Sequence, residues 1–145
     1  MKRLMGVLLV AILCLGALTG CGDKQKVYSD GIYRAEYTEP DTFGYRDFVV
    51  ATVRGGVVED LVFDAINDMG TLRSEDTAYR EDMEEIQGTY PEKYSQDRII
   101  QYLEQQDITQ GDVIANATES SNKFMALFTA LEPQMQAGNT ETVYI

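Results

Sequence analysis

The chain has 145 residues, with twelve Lys and Arg against twenty-four Asp and Glu and a formal charge of -12. That length holds one domain with at most a tail. Apolar residues, 44% of the chain, supply a globular core, and the acidic balance excludes nucleic acid as a partner, because phosphate backbones need Lys and Arg. His is absent and the only cysteines are Cys14 and Cys21. His-based triads, His-ligated zinc or haem, and disulfide or CxxC redox frameworks are excluded with them.

Lys2 and Arg3 precede an uncharged run from Leu4 to Leu18. It is shorter than the about 20 residues a membrane helix needs. A basic start, a short apolar stretch and then small residues is the pattern of a secretory signal. The segment Leu18-Thr19-Gly20-Cys21 resembles the lipobox of bacterial lipoproteins. The resemblance implies cleavage before Cys21, diacylglycerol on its thiol, and a chain held by lipid on the extracytoplasmic face of the cell membrane. The competing readings are an ordinary signal peptide with an incidental cysteine, or an uncleaved anchor. On the lipoprotein reading, residues 1–20 are the signal peptide, 21–29 the lipidated N-terminus and tether, and 30–145 the domain. Loss of Lys2 and Arg3 leaves ten basic against twenty-four acidic side chains, a net -14. No free thiol remains, which suits an oxidising exterior.

Within the domain, Tyr33, Ala35 and Tyr37 alternate with polar neighbours, which predicts a strand. Glu39-Pro40-Asp41 predicts a turn. Phe48–Val53 and Val57–Ile66 are β-rich and flank Arg54-Gly55-Gly56, a hairpin signal. Asn67 to Gly70 breaks the pattern. Ser74 is then the expected cap of a first helix with Tyr79, Met83 and Ile86 on one stripe and Gly88 at its end. Pro91 opens a second helix to about Gln105, with Ile99, Tyr102 and Leu103 inward. Asp107 to Ala117 reads as a loop or short strand. Ser120 or Ser121 is expected to cap a third helix carrying Phe124, Leu127, Phe128 and Leu131 on one face, which Pro133 should end or kink. Thr140–Ile145 reads as a last short strand. Strands first and helices after predict an α+β fold, a small antiparallel sheet from the N-terminal hairpin region covered by about three helices.

The small-residue run from Asp112 to Ser121 leads straight into the third helix. Unpaired amides and the helix dipole make such a place an anion site. Asn116 tolerates positive φ, and Thr118, Ser120 and Ser121 offer hydroxyls. The same hydroxyls also serve as ordinary helix caps. Glu75, Asp76, Glu81, Asp82, Glu84 and Glu85 form an acidic cluster whose spacing is not that of an EF-hand. It reads as a solvated face, and no metal is expected.

The run from Asp112 to Ser120 is similar to the D-x-x-[ST]-G-A-T-x-S loop of FMN-binding domains. Other pieces follow in the family's order. Asp30-Gly31-Ile32-Tyr33 resembles its opening DGxY, and Gly44-Tyr45 its Gly-aromatic pair. Gly56-Val57-Val58 with Phe63-Asp64 resembles its hairpin. Arg73-Ser74-Glu75-Asp76-Thr77-Ala78-Tyr79 is close to its K-S-x-D-x-x-Y, and Gly88, Pro91, Phe124 and Ala137-Gly138-Asn139-Thr140 come after. The resemblance implies FMN as cofactor, with Thr118 matching the threonine through which a flavin transferase attaches it in some members. Asp112 matches the loop's leading Asp and Ala117 the small residue before that threonine. Ala115 stands where the family has Ser or Thr, and Asn116 where it has Gly, so non-covalent FMN and a covalent link through Thr118 both stay open. The implied binding set is Asp112, Asn116, Ala117, Thr118, Ser120 and Ser121, with Arg73, Ser74, Tyr45 and Tyr79. Arg73 and Lys123 are candidate counter-charges for the phosphate. Tyr33, Tyr45 and Tyr79 could pack on the ring, and for Tyr33 a core position is the better reading.

The function implied is a membrane-tethered carrier of electrons at the outer face of the bacterial cytoplasmic membrane, exchanging with a redox partner protein or the quinone pool. An electron carrier is favoured over a substrate-converting enzyme, since no nucleophile–base pair can be read. The alternative is a module of the same fold without flavin, acting as a surface or envelope binding protein.

Overall fold

The computed structural model describes residues 27–108 and 118–145. Four strands form one sheet in the order β3-β2-β1-β4. β1 is Gly31–Glu36, β2 is Tyr45–Arg54, β3 is Val57–Asn67 and β4 is Val143–Tyr144. The first three are antiparallel neighbours, and β4 lies parallel to β1, so the sheet is mixed and the fold is α+β. The hairpin turn falls at Gly55 and Gly56, with φ of 60° and 82°. Two consecutive positive φ values are what a tight primed turn requires, and glycine supplies them without steric cost.

A single 3-10 turn, Arg73–Glu75, leads into helix α1, Thr77–Gln87. Its cap is Asp76, whose carboxylate accepts from Tyr79 N–H at 3.1 Å, and not Ser74. Ser74 sits one turn earlier and donates its hydroxyl to Asp64 at 2.5 Å. The expected apolar stripe of α1 is also corrected. Ile86 is 74% exposed, because the helix meets the domain through Tyr79, Arg80 and Met83 and turns Ile86 to solvent. Helix α2, Pro91–Gln105, starts at the proline as expected.

Helix α3 is Thr118–Ala137. Thr118 is already helical, so Ser120 and Ser121 lie inside the first turn and do not cap it. Pro133 does not end the helix. Phe124, Leu127, Phe128 and Leu131 are buried to 1% exposure or less. They face Tyr33, Ala35, Val49, Ala51 and Phe63 of the sheet and make one core. Tyr33 is part of it. Tyr28 and Ser29 belong to the folded unit: their amides donate to Gly56 O at 2.9 Å and to Met135 O at 2.8 Å. Among the described residues no helix is long and apolar enough to cross a membrane.

Candidate functional site

At the end of the sheet away from the Gly55-Gly56 turn, the β1–β2 loop, the 3-10 turn, α1 and the first turns of α3 enclose a pocket of about 250 Å³. The loop is built by Asp41. Its Oδ1 accepts from Phe43 N–H at 2.9 Å and Tyr45 N–H at 3.0 Å. This Asx arrangement closes the loop locally and leaves the Phe43 ring 65% exposed at the rim. There it meets Tyr79 edge to face, with centroids 5.3 Å apart.

The floor is ionic. Asp47 is 3% exposed and gives one oxygen to each of two cations. Arg73 Nη1 lies 3.0 Å from its Oδ1, and Lys123 Nζ 2.8 Å from its Oδ2. Asp41 Oδ2 also accepts from Arg73 Nη2 and lies 3.5 Å from Lys123 Nζ. Two cations and two carboxylates thus balance inside the fold, with exposed Glu119 3.5 Å from Lys123 at the edge. Burial works against the charge of Arg73, but Asp47 and Asp41 outweigh it and raise its pKa. Lys123 is raised in the same way: burial opposes, and the bond and charge of Asp47 prevail. Burial also acts against ionised Asp41, yet the Tyr45 and Phe43 amides with Arg73 and Lys123 hold its carboxyl below the usual value. The Arg73 guanidinium lies 4.9 Å from the Tyr45 ring centroid and 5.3 Å from that of Tyr79, within reach of cation–π attraction. Burial pushes the Tyr79 hydroxyl up to about 12. Arg73 Nε is buried without a hydrogen-bond partner among the described residues.

The residues singled out from sequence distribute as follows. Arg73, Tyr79, Ser120 and Lys123 line this pocket. Thr118 is exposed at the start of α3, one turn from Ser121. Ser121 is buried, and its hydroxyl finds no partner among the described residues. Tyr45 is buried beneath Arg73 and donates to Asp76 at 2.6 Å, so its ring supports the floor from behind. Ser74 is bound to Asp64 and lines a different groove, beside Leu61 and Ile99. Asp112, Asn116, Ala117 and Cys21 lie outside the described residues.

Sequence reasoning missed Asp41, Phe43, Asp47, Met83 and Tyr94 as lining or floor. For Asp47 a signal existed. It shares the inward parity of Val49, Ala51 and Val53, and a carboxylate at an inward strand position must find a cation. Among the described residues no group of His, Cys, Asp or Glu is arranged to hold a metal ion. The pocket can hold a flat, partly polar molecule. Phe43 and Tyr79 give it an aromatic side, and Arg73, Lys123 and Asp41 give it a floor with both donors and acceptors.

No family model matches the chain. The crystal structure of the CPE2226 protein from Clostridium perfringens superposes with a TM-score of 0.76 at 28% identity, covering 81% of this chain and 97% of that one. The 15 kDa lipoprotein of Treponema pallidum (strain Nichols) is 32% identical over 131 residues, 90% of this chain and 92% of that protein. At that identity and coverage, the chain belongs to the family of the Treponema pallidum 15 kDa lipoprotein.

Proposed function

We propose that this protein is anchored through lipid on Cys21 at the outer face of the bacterial cytoplasmic membrane and holds FMN for electron transfer in the pocket at the start of α3. The observation that carries the reading is that this helix start opens on a pocket with an aromatic side. The similarity to FMN-binding domains, carried by the order of motifs along the sequence, points to the same end of α3. The lipoprotein relative supports the anchor.

The residues present fit the group. FMN when bound supplies reversible one- and two-electron chemistry, while the protein positions it and tunes its environment. Phe43 and Tyr79 offer ring faces and edges to a planar heterocycle. Arg73 and Lys123 are fixed by Asp47, so they present oriented N–H groups at little reorganisation cost. The floor is neutral as a whole, so a phosphate gains more at the amides of the α3 start, beside Thr118, than among the carboxylates. Tyr79, with its hydroxyl pushed up to about 12, stays a neutral hydrogen-bond donor at physiological pH.

The charge balance also favours a second reading, a flavin-free binding module: both cations are already engaged by carboxylates. One experiment separates the two. The mature chain is expressed with a flavin transferase and FMN available, and its visible absorbance is recorded before and after denaturation. Colour released on denaturation indicates non-covalent FMN. Colour that stays with the chain and is lost in Thr118→Ala indicates a covalent link. A colourless protein that stays colourless on adding FMN leaves the binding module.

A further inference from the structure

We propose that the pocket is the membrane-distal pole of the anchored protein, served by water-soluble partners and not by quinone dissolved in the bilayer. This rests on reading Cys21 as the anchor and the pocket as the ligand site.

Tyr28 and Ser29 are fastened to the Gly55-Gly56 turn and to the last turns of α3. Tyr28 Oη also donates to Glu132 at 2.7 Å, and Asp30 accepts from Gly56 N–H at 3.1 Å. Chain fixed this firmly cannot serve as flexible linker. The pocket lies at the other end of the same elements. Ser120 and Lys123 line it near the start of α3, and Met135 receives the tether near its end. Fifteen residues separate Ser120 from Met135, which is about 22 Å of helix at 1.5 Å per residue. β2 gives the same answer independently: Tyr45 pairs with Asn67 at the pocket end and Arg54 with Val57 at the tether end, a span of about 30 Å at strand rise.

Seven residue steps separate Cys21 from Tyr28, which can span at most about 24 Å. That limit is about the distance from Tyr28 to the pocket. Turning the pocket onto the bilayer would demand nearly full extension, which is entropically costly. Electrostatics acts in the same direction. The exposed acids Glu81, Asp82, Glu84 and Glu85 of α1 stand on the pocket side of the molecule, and an anionic membrane surface repels them within about a Debye length. The mouth rimmed by Thr42 and Phe43 therefore faces water.

The test uses the full-length lipidated protein in vesicles of zwitterionic lipid with a minority of phosphatidylglycerol. The mature chain has no free thiol, so Thr42→Cys at the pocket rim and Gln136→Cys near the tether each place a single label on an exposed position. Energy transfer to an acceptor on lipid headgroups is expected to be several-fold stronger from position 136 than from position 42. Equal or stronger transfer from position 42 overturns the orientation. Failure of the protein to float with vesicles overturns the anchor, and the orientation with it. None of these outcomes depends on flavin, so absence of FMN binding, read separately by titration, removes the cofactor without touching the geometry.

Discussion

Lys123 Nζ lies 2.8 Å from Asp47 Oδ2, joining the second turn of α3 to the inward face of β2. Asp47 holds Arg73 with its other oxygen, so one buried carboxylate ties helix, strand and 3-10 turn together under the pocket. Removing it leaves two cations at the floor with only Asp41 to share. Asp47→Ala is expected to cost about 3–5 kcal/mol, as breaking a buried pair does, with urea denaturation as the measurement. A cost below about 1 kcal/mol would show that the network is no structural element.

The core was the most legible part of the chain. The spacing of Phe124, Leu127, Phe128 and Leu131 predicted one apolar face, and all four are buried in the structure. Phe124 packs against Phe63 at 5.3 Å between centroids. Phe124→Ala is expected to destabilise by about 3–5 kcal/mol, measured by the shift of the denaturation midpoint at unchanged slope. The pocket floor was less legible, because it joins Asp41, Asp47, Arg73 and Lys123 across up to 82 positions of sequence. Local periodicity cannot report such pairings. The tail strand was visible as a segment, but its parallel pairing with β1 was not, since direction is set by where α3 delivers the chain. Ile86 was misplaced for a related reason: a helical stripe says which residues share a face, not whether anything packs against it.

Helix α1 contains no fully buried residue and depends on its cap. Asp76 accepts from both Tyr79 N–H and Tyr45 Oη. Asp76→Ala is expected to cost about 1–2 kcal/mol. In hydrogen exchange the amides of residues 77–87 should lose protection while those of β2 keep theirs, because weakly packed elements open locally. Uniform loss across both would contradict the local reading.

Acid should loosen the pocket end. Asp41 is held below its usual value, with burial opposing and the amides and cations prevailing. Asp76 is lowered chiefly by the Tyr45 hydroxyl, then by the Tyr79 amide. A depressed carboxyl contributes stability above its unfolded value, 3.8 here, and loses it as pH falls through the folded value. Stability should therefore hold down to about pH 5 and decline below about 4. Asp41→Asn should show a shallower acid limb, with an unchanged limb as the contrary result. At the other extreme, burial pushes Tyr79 and Tyr102 up to about 12. The protonated phenols favour the fold up to their unfolded value near 10, and that contribution is lost as pH rises toward 12.

The central claim is a flavin site at the start of α3, and FMN titration followed by flavin fluorescence tests it most directly. The mature wild-type protein is predicted to give saturable quenching at one FMN per chain. Tyr79→Ala should weaken it by about tenfold or more, the size expected for a lost stacking face, while circular dichroism stays unchanged. Fluorescence that never departs from that of free FMN, in a folded and colourless protein, would contradict the account.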